Sequence, residues 1–514
     1  MSEAVREVAA IAGAAGVCGL LLPLPWFRQE HQRAAALALT VAAWGFMLGS
    51  LLPDDATDSL DRIATVTGAG AVVIALAALV VGVRVVLWRP TVWFVLLAVS
   101  LPIRIPVTVG SEEANLLVPL YAVIVLGIVA LAWGRARGRL PRAPEGPALL
   151  GVPLAAFVAV LLVSLLWSAD PDQAAIKAAC FYLPFTLLYV LVVAWWPRGR
   201  ALATLTTITV AGGTVAALVG LYQYLTRELW WNETLQQANV YSRFFRVNGI
   251  FFDPNILGRY LAVGILAALA LAWYRRRPAE LAALAVAVAV MAGGLVVTFS
   301  RSSTLMLMVG LILLASRAVG PLRALLCGGA ILVVLGGAAF ATSGNVRDAA
   351  TDSSRLEKVS EGRFDLMRGG LTIWRDNPVV GAGLGGFEKR FEETLTPVEQ
   401  RRVRVVISHN APITVLSENG VVGGALLVAL LLGAGWAMVR GSSRQGMYGW
   451  ARWTMAAAAL GIVVHSLLYA ALFEDPFTWV LAAAAVAVAA AAPRPDPAED
   501  EPAGAGATQV MSTP

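Results

Sequence analysis

Long apolar runs separated by short polar connections dominate this chain. Each run approaches the roughly 20 residues that a helix needs to cross ~30 Å of hydrocarbon. On that pattern, spanning helices are expected near 8–27, 34–52, 63–87, 91–109, 116–133, 148–167, 178–196, 201–225, 255–274, 279–299, 302–316, 324–342, 411–439, 453–472 and 477–493. Pro102, Arg104 and Pro106 interrupt the fourth, so that segment is expected to be broken or re-entrant. Barrel strands would instead alternate with a period of two over about ten residues. Three polar stretches stand apart, at 168–177, 226–254 and 343–410. Only the last is long enough for a small subdomain, and its mixture of Arg, Glu, Phe and Trp predicts a folded loop over the membrane surface. The stretch 494–514, rich in Pro, Ala and Glu, reads as a disordered cytoplasmic tail.

Composition excludes a water-soluble domain: 58% of the 514 residues are hydrophobic, 14% are charged, and the mean hydropathy is +0.72. This is the balance of an all-α, polytopic integral membrane protein. Glu3 and Glu7 precede the first apolar run and no small-residue cleavage site follows it, so a cleavable signal peptide is not expected. The net charge of +6 comes mostly from arginine and bears on orientation, not on nucleic acid. Arg135, Arg137, Arg139 and Arg142, then Arg198 and Arg200, Arg275 to Arg277, and Arg440, Arg444 and Arg452 all fall on one side when the expected helices are counted. The positive-inside rule makes that side cytoplasmic. Asp54, Asp55, Asp58, Asp61, Glu112 and Glu113 then fall outside. Cys18, Cys180 and Cys327 lie in separate spans and read as small core residues.

Four stretches that carry chemistry-bearing residues are expected on the outer face. They are Arg243-Phe-Phe-Arg246-Val-Asn-Gly249 leading to Asp253-Pro254-Asn255; Ser300-Arg301-Ser302-Ser303; Arg363-Phe-Asp365 with Trp374 to Phe387; and Ser408-His409-Asn410 at the foot of an apolar run. Arg301 sits a few residues from hydrocarbon on either side. It is either an interfacial arginine on lipid phosphate or a two-point clamp on a diphosphate. Arg246 and Arg243 admit the same two readings, and position does not choose between them. Of three histidines, His31 lies in a basic connection and His465 inside an apolar run, which leaves His409 as the candidate proton carrier. Its simpler reading is a helix start capped by Ser408 or Asn410, with the imidazole merely exposed. Glu418, two turns into a span, is expected to face the protein interior near an arginine. Gly420 and Gly423 read as small residues that permit close helix packing. The glycine run from Gly381 to Gly386 lacks a Lys-Ser/Thr ending and reads as a turn that docks the loop, not as a phosphate loop. No acidic cluster of the Mg²⁺ type is visible, and no internal repeat is evident.

His409-Asn410 followed by Gly420-x-x-Gly423, after Arg-x-x-Gly at 246–249, Ser-Arg at 300–301 and Asn-Pro-x-x-Gly-x-Gly at 377–383, resembles the O-antigen ligase and polymerase superfamily over roughly residues 91 to 493. The resemblance implies a helical bundle of the C-type glycosyltransferase kind, with about twelve core helices and no nucleotide-binding domain. It divides the chain into extra amino-terminal helices (1–90), a first part of the membrane core (91–342), a large extracytoplasmic loop (343–410), the last core helices (411–493) and the tail. It implies transfer of a glycan from a polyprenyl (undecaprenyl-type) diphosphate carrier to an acceptor hydroxyl at the outer face of the cytoplasmic membrane, in polysaccharide and cell-envelope biosynthesis. The acceptor is a glycan, a lipid-linked glycan or a protein; membrane lipid is the other partner, and nucleic acid is not one. By resemblance His409 acts on the acceptor hydroxyl while Arg301 and Arg246 hold the diphosphate, with Asn410, Arg243, Asn255, Ser300, Arg363 and Glu418 as substrate-binding candidates. The reaction is expected to invert the anomeric centre and to need neither metal nor cofactor. A flippase or other transporter of lipid-linked sugars, or a non-catalytic envelope-assembly scaffold, are the competing classes. A transporter should carry charges at mid-membrane depth.

Overall fold

A computed structural model describes residues 3–22, 30–51, 66–109, 112–138, 148–196, 201–230, 232–242, 244–274, 277–342, 363–396, 408–439 and 447–491. The chain is a helical membrane protein. Its helices in order are α1 (Glu3–Leu21), α2 (Glu30–Ser50), α3 (Val66–Trp88), α4 (Thr91–Ser100), α5 (Val118–Ala136), α6 (Ala148–Val163), α7 (Pro171–Lys177), α8 (Leu183–Trp195), α9 (Ala201–Thr226), α10 (Glu233–Tyr241), α11 (Pro254–Tyr274), α12 (Pro278–Thr298), α13 (Arg301–Val319) and α14 (Pro321–Thr342). There follow α15 (Arg363–Asp376), α16 (Phe387–Thr394), α17 (Ala411–Val439), α18 (Met447–Ser466) and α19 (Pro476–Ala491).

Among the described residues ten helices are long and apolar enough to cross a membrane, fewer than the fifteen runs suggest. The segment expected over 91–109 is broken as Pro102 and Pro106 require: α4 stops at Ser100, and Ile105–Val109 pairs antiparallel with Glu112–Leu116 in a short hairpin. Likewise the run expected over 453–472 is helical from Met447 to Ser466 and then gives way to an irregular turn.

Two helices carry built-in irregularities whose freed backbone groups are satisfied by distant parts of the chain. Between α7 and α8, residues Ala178–Tyr182 form a π-turn. Such a turn leaves carbonyls without their usual partners. Trp44 Nε1 donates to Ala179 O at 2.7 Å, and Tyr121 Oη donates to Cys180 O at 2.8 Å. The amino-terminal helix α2 is thereby joined to the core.

The second irregularity lies within α17, where Gly420 has φ 59° and ψ −160°, a conformation open essentially to glycine alone. A Cβ on Gly420 would lie 2.1 Å from Val379 O. Gly420 is therefore a break and not a packing contact. The glycine loop after α15 fills it: Ala382 N donates to Ser417 O (2.9 Å), Gly383 N to Glu418 O (2.8 Å), and Val421 N to Pro378 O (2.8 Å). The loop's other edge meets the connection between α6 and α7, where Ser168 Oγ donates to Leu384 O (2.7 Å) and Ala169 N to Ala382 O (2.8 Å). The turn expected at Gly381 to Gly386 thus docks 363–396 onto the bundle.

Candidate functional site

At the end of the bundle where α12 turns into α13, Phe299 adopts a left-handed φ of 50° and Ser300 caps α13, its Oγ accepting from Ser303 N. That turn makes Arg301 the first residue of α13, with its side chain exposed. A cation at the positive end of a helix is not neutralised by it, so guanidinium and helix dipole add to one field that favours an anion.

Arg246 is brought to the same turn. Its backbone is clamped by Asn239 of α10, whose amide accepts from Arg246 N and donates to Arg246 O, both at 2.9 Å. The side chain donates through Nε to Thr298 O (3.1 Å) and through Nη2 to Asn255 Oδ1 (3.3 Å), and Ser300 Oγ donates to the same Asn255 oxygen at 2.8 Å. Three residues singled out from the sequence, Arg246, Asn255 and Ser300, therefore share one set of hydrogen bonds beside Arg301. Arg243, the alternative to Arg246, lies outside the described residues.

His409 stands at φ +56°, a left-handed region in which histidine is one of the few enriched side chains, and it is half-buried. Asn410 caps α17 by accepting from Ile413 N at 3.0 Å, while Ser408 Oγ accepts from Asn410 N at 3.1 Å. Capping is thus carried by the neighbours, and the imidazole is not the cap. Asn410 Nδ2 donates to Leu467 O (3.0 Å), and Arg363 Nη1 lies 3.4 Å from Leu468 O. The turn that follows α18 therefore holds both residues. The last turn of α18 itself contacts the other cluster, because His465 Nε2 lies 3.1 Å from Ser302 Oγ.

Glu418 is placed elsewhere. It is buried as expected, but its partner is a lysine and not an arginine: Lys177 Nζ lies 2.9 Å from Glu418 Oε1 and 3.8 Å from Glu474 Oε1. The π-turn sets Lys177 there. Burial pushes the Glu474 carboxyl above the usual carboxylate range; Lys177 opposes this, Glu418 reinforces it and Arg104 opposes it. The folded protein thus binds this proton more tightly than the unfolded chain, whose glutamate titrates near ~4.3. Its contribution to stability is present below that value and is lost as pH rises through the folded value. Glu474→Gln is accordingly expected to raise the thermal unfolding midpoint above that of wild type at about pH 8, with the difference fading towards about pH 4. A lower midpoint at the alkaline end, in detergent-solubilised protein, would show that the carboxylate is needed to balance Lys177.

Sequence reasoning passes over His465, Arg259 and Asp475, all buried. A signal for Arg259 is present: it is a lone charge one helical turn after Asn255 in an apolar run, and such charges face a protein interior and a partner. A cavity of about 760 Å³ lies between α4, α9, α11, α18 and α19, and no residue of the polar cluster lines it. Phe94, Leu97, Tyr260, Trp450 and Phe477 are among the mostly apolar side chains that line it.

Residues 286–428 match the family model of the O-antigen ligase. The match runs from within α12 through Arg301, Arg363, His409 and Glu418 into α17, a narrower stretch than the resemblance at 91–493, and leaves Arg246 and Asn255 outside. No curated protein matches the chain.

Proposed function

We propose that this chain, a member of the O-antigen ligase and polymerase superfamily, moves a glycan from a polyprenyl diphosphate carrier to an acceptor hydroxyl at the extracytoplasmic face of the cytoplasmic membrane. The observation that carries the reading is the convergence of two groups on the end of α18 and the turn just after it: the Arg246–Asn255–Ser300 cluster with Arg301, and the His409–Asn410 start of α17.

A sugar on a diphosphate already has a good leaving group. The enzyme has to stabilise the charge that grows on that group and to accept one proton from the acceptor. Arg301 and Arg246 supply positive charge where the diphosphate sits, and Arg246 is held by Thr298 and Asn255 before reaction, so little reorganisation of that charge is needed at the transition state. His409 takes the acceptor proton. Asn255 and Ser300 hold Arg246 and the Arg301 turn in register, Asn410 anchors the helix behind His409, and Arg363 ties α15 to the same end of the bundle. Attack opposite the leaving diphosphate inverts the anomeric centre. The cavity between α4, α9, α11, α18 and α19 is apolar enough to take an isoprenoid chain.

Because arginine charge replaces metal charge in this scheme, purified protein in lipid nanodiscs is expected to transfer glycan from a polyprenyl diphosphate donor at an undiminished rate in excess chelator. Activity lost to chelation and restored by Mg²⁺ or Mn²⁺ would overturn the arginine mechanism, and absence of any transfer from such donors would overturn the function itself.

A further inference from the structure

The roles above leave Arg259, His465 and Asp475 unused, although together they form a continuous buried polar chain. Arg259 is 1% exposed and His465 0%. Arg259 Nη1 donates to Asp475 Oδ2 at 2.5 Å and to Ala471 O at 3.0 Å, while Nη2 lies 3.1 Å from His465 Nδ1. Asp475 Oδ1 in turn accepts from Phe477 N at 2.9 Å, which fixes the start of α19. Burying an ion pair costs desolvation that apolar side chains of similar size would avoid, so the pair adds orientation more than stability.

That orientation can be read from the donors. A guanidinium has no acceptor, so Nδ1 of His465 must accept and the ring proton must sit on Nε2. Nε2 lies 3.1 Å from Ser302 Oγ and 3.2 Å from Ser303 Oγ, both in the first turn of α13. Ser303 Oγ donates onward to Asn255 O at 3.1 Å, and Asn255 Oδ1 is the atom that receives Arg246 Nη2 and Ser300 Oγ. Arg246 is therefore linked to this imidazole through Asn255 and Ser303, and Arg301 through the backbone, as the residue next to Ser302.

We infer that His465 is a positioning residue for Arg301 and Arg246: Arg259 and Asp475 hold its imidazole as the Nε2–H tautomer, and that hydrogen fixes the first turn of α13. The inference rests on the proposed glycan transfer for its kinetic consequence but not for its structural one, and the test separates the two. His465→Asn keeps an acceptor for Arg259 and withdraws the donor from the serines. His465→Gln places an amide donor near the Nε2 position. The Asn variant should raise the donor KM and lower kcat, together by up to about 10²-fold, as expected for sub-ångström to 1 Å misplacement of a charge. The Gln variant should recover to within severalfold of wild type. A purely structural role would lower the active fraction and leave the donor KM unchanged. In an Arg301→Lys background the loss caused by His465→Asn should shrink markedly, because both changes act on one interaction. Equal losses in the two backgrounds, an unchanged donor KM, or a fully active Asn variant would each overturn the proposal. Should His465→Asn fail to fold, the Ser302→Ala/Ser303→Ala double variant removes the same hydrogen bonds from the other side, and full activity there is equally fatal. If wild type transfers no glycan, the functional reading fails alone. Positioning is then judged from a nitroxide on Thr304→Cys in a background lacking the three native cysteines. Its spectrum should become more mobile in His465→Asn, and an identical line shape would overturn the inference.

Discussion

Replacing His409 by alanine is expected to lower glycan transfer by roughly 10²–10⁴-fold, the usual contribution of a well-placed general base, while leaving the affinity for the polyprenyl diphosphate donor close to that of wild type. The two effects separate because the proton moves only during reaction. Asn410 and Ser408 provide the hydrogen bonds at the start of α17, so losing the imidazole leaves the cap intact and the protein folded. Arg301→Ala should behave differently. The diphosphate is charged before reaction and more so during it, so both donor binding and turnover should fall. Initial rates and donor affinities of the two purified variants decide the matter. A His409→Ala protein with full activity refutes the proton-accepting role, and one that binds donor poorly moves His409 into the diphosphate site.

The second large effect concerns the break in α17. Gly420→Ala forces a Cβ into a conformation reserved for glycine, 2.1 Å from a backbone carbonyl of the docked loop, so neither side can yield without losing hydrogen bonds. Gly383→Ala, with φ +82° and a Cβ position 2.3 Å from Ser168 Cα, attacks the same junction from the loop side. Each change should cost on the order of 3 kcal/mol or more, and in a marginally stable protein this should appear as loss of monodisperse material on size exclusion. Gly435→Ala, in open space later in the same helix, is the matched control and should be harmless. Normal yield and an unchanged unfolding midpoint for Gly420→Ala would mean that the loop does not close the break.

Much of this site is legible in the amino-acid sequence. Charges beside long apolar runs stand out because each demands a partner or water, and Arg301 and Glu418 declare themselves in this way, whereas position leaves Arg246 level with Arg243 and His409 stands out only as the histidine between a polar loop and an apolar run. Prolines at 102 and 106 announce the end of α4 just as plainly. His465 does not, since one polar residue in an apolar run looks like a core residue until its partners are known, and those partners are 162 to 206 residues away in sequence. The lysine that faces Glu418 is hidden for a related reason: Lys177 lies beside a π-turn, and no periodicity reports such a turn. Gly420 misleads outright. Glycine in an apolar helix usually marks close packing, and only the dihedral angles distinguish that from a break.

The break in α17 also bears on how the protein is made. To an insertion machinery α17 presents two apolar pieces, 411–419 and 421–439. The first is under half the ~20 residues that a crossing needs and carries Glu418 besides. The strip that receives it, residues 378–383, leaves the ribosome earlier. The template for closing the break is therefore complete before the break exists, and a chain rearranged so that 411–439 came first would have to insert that helix with its central carbonyls and amides open to hydrocarbon.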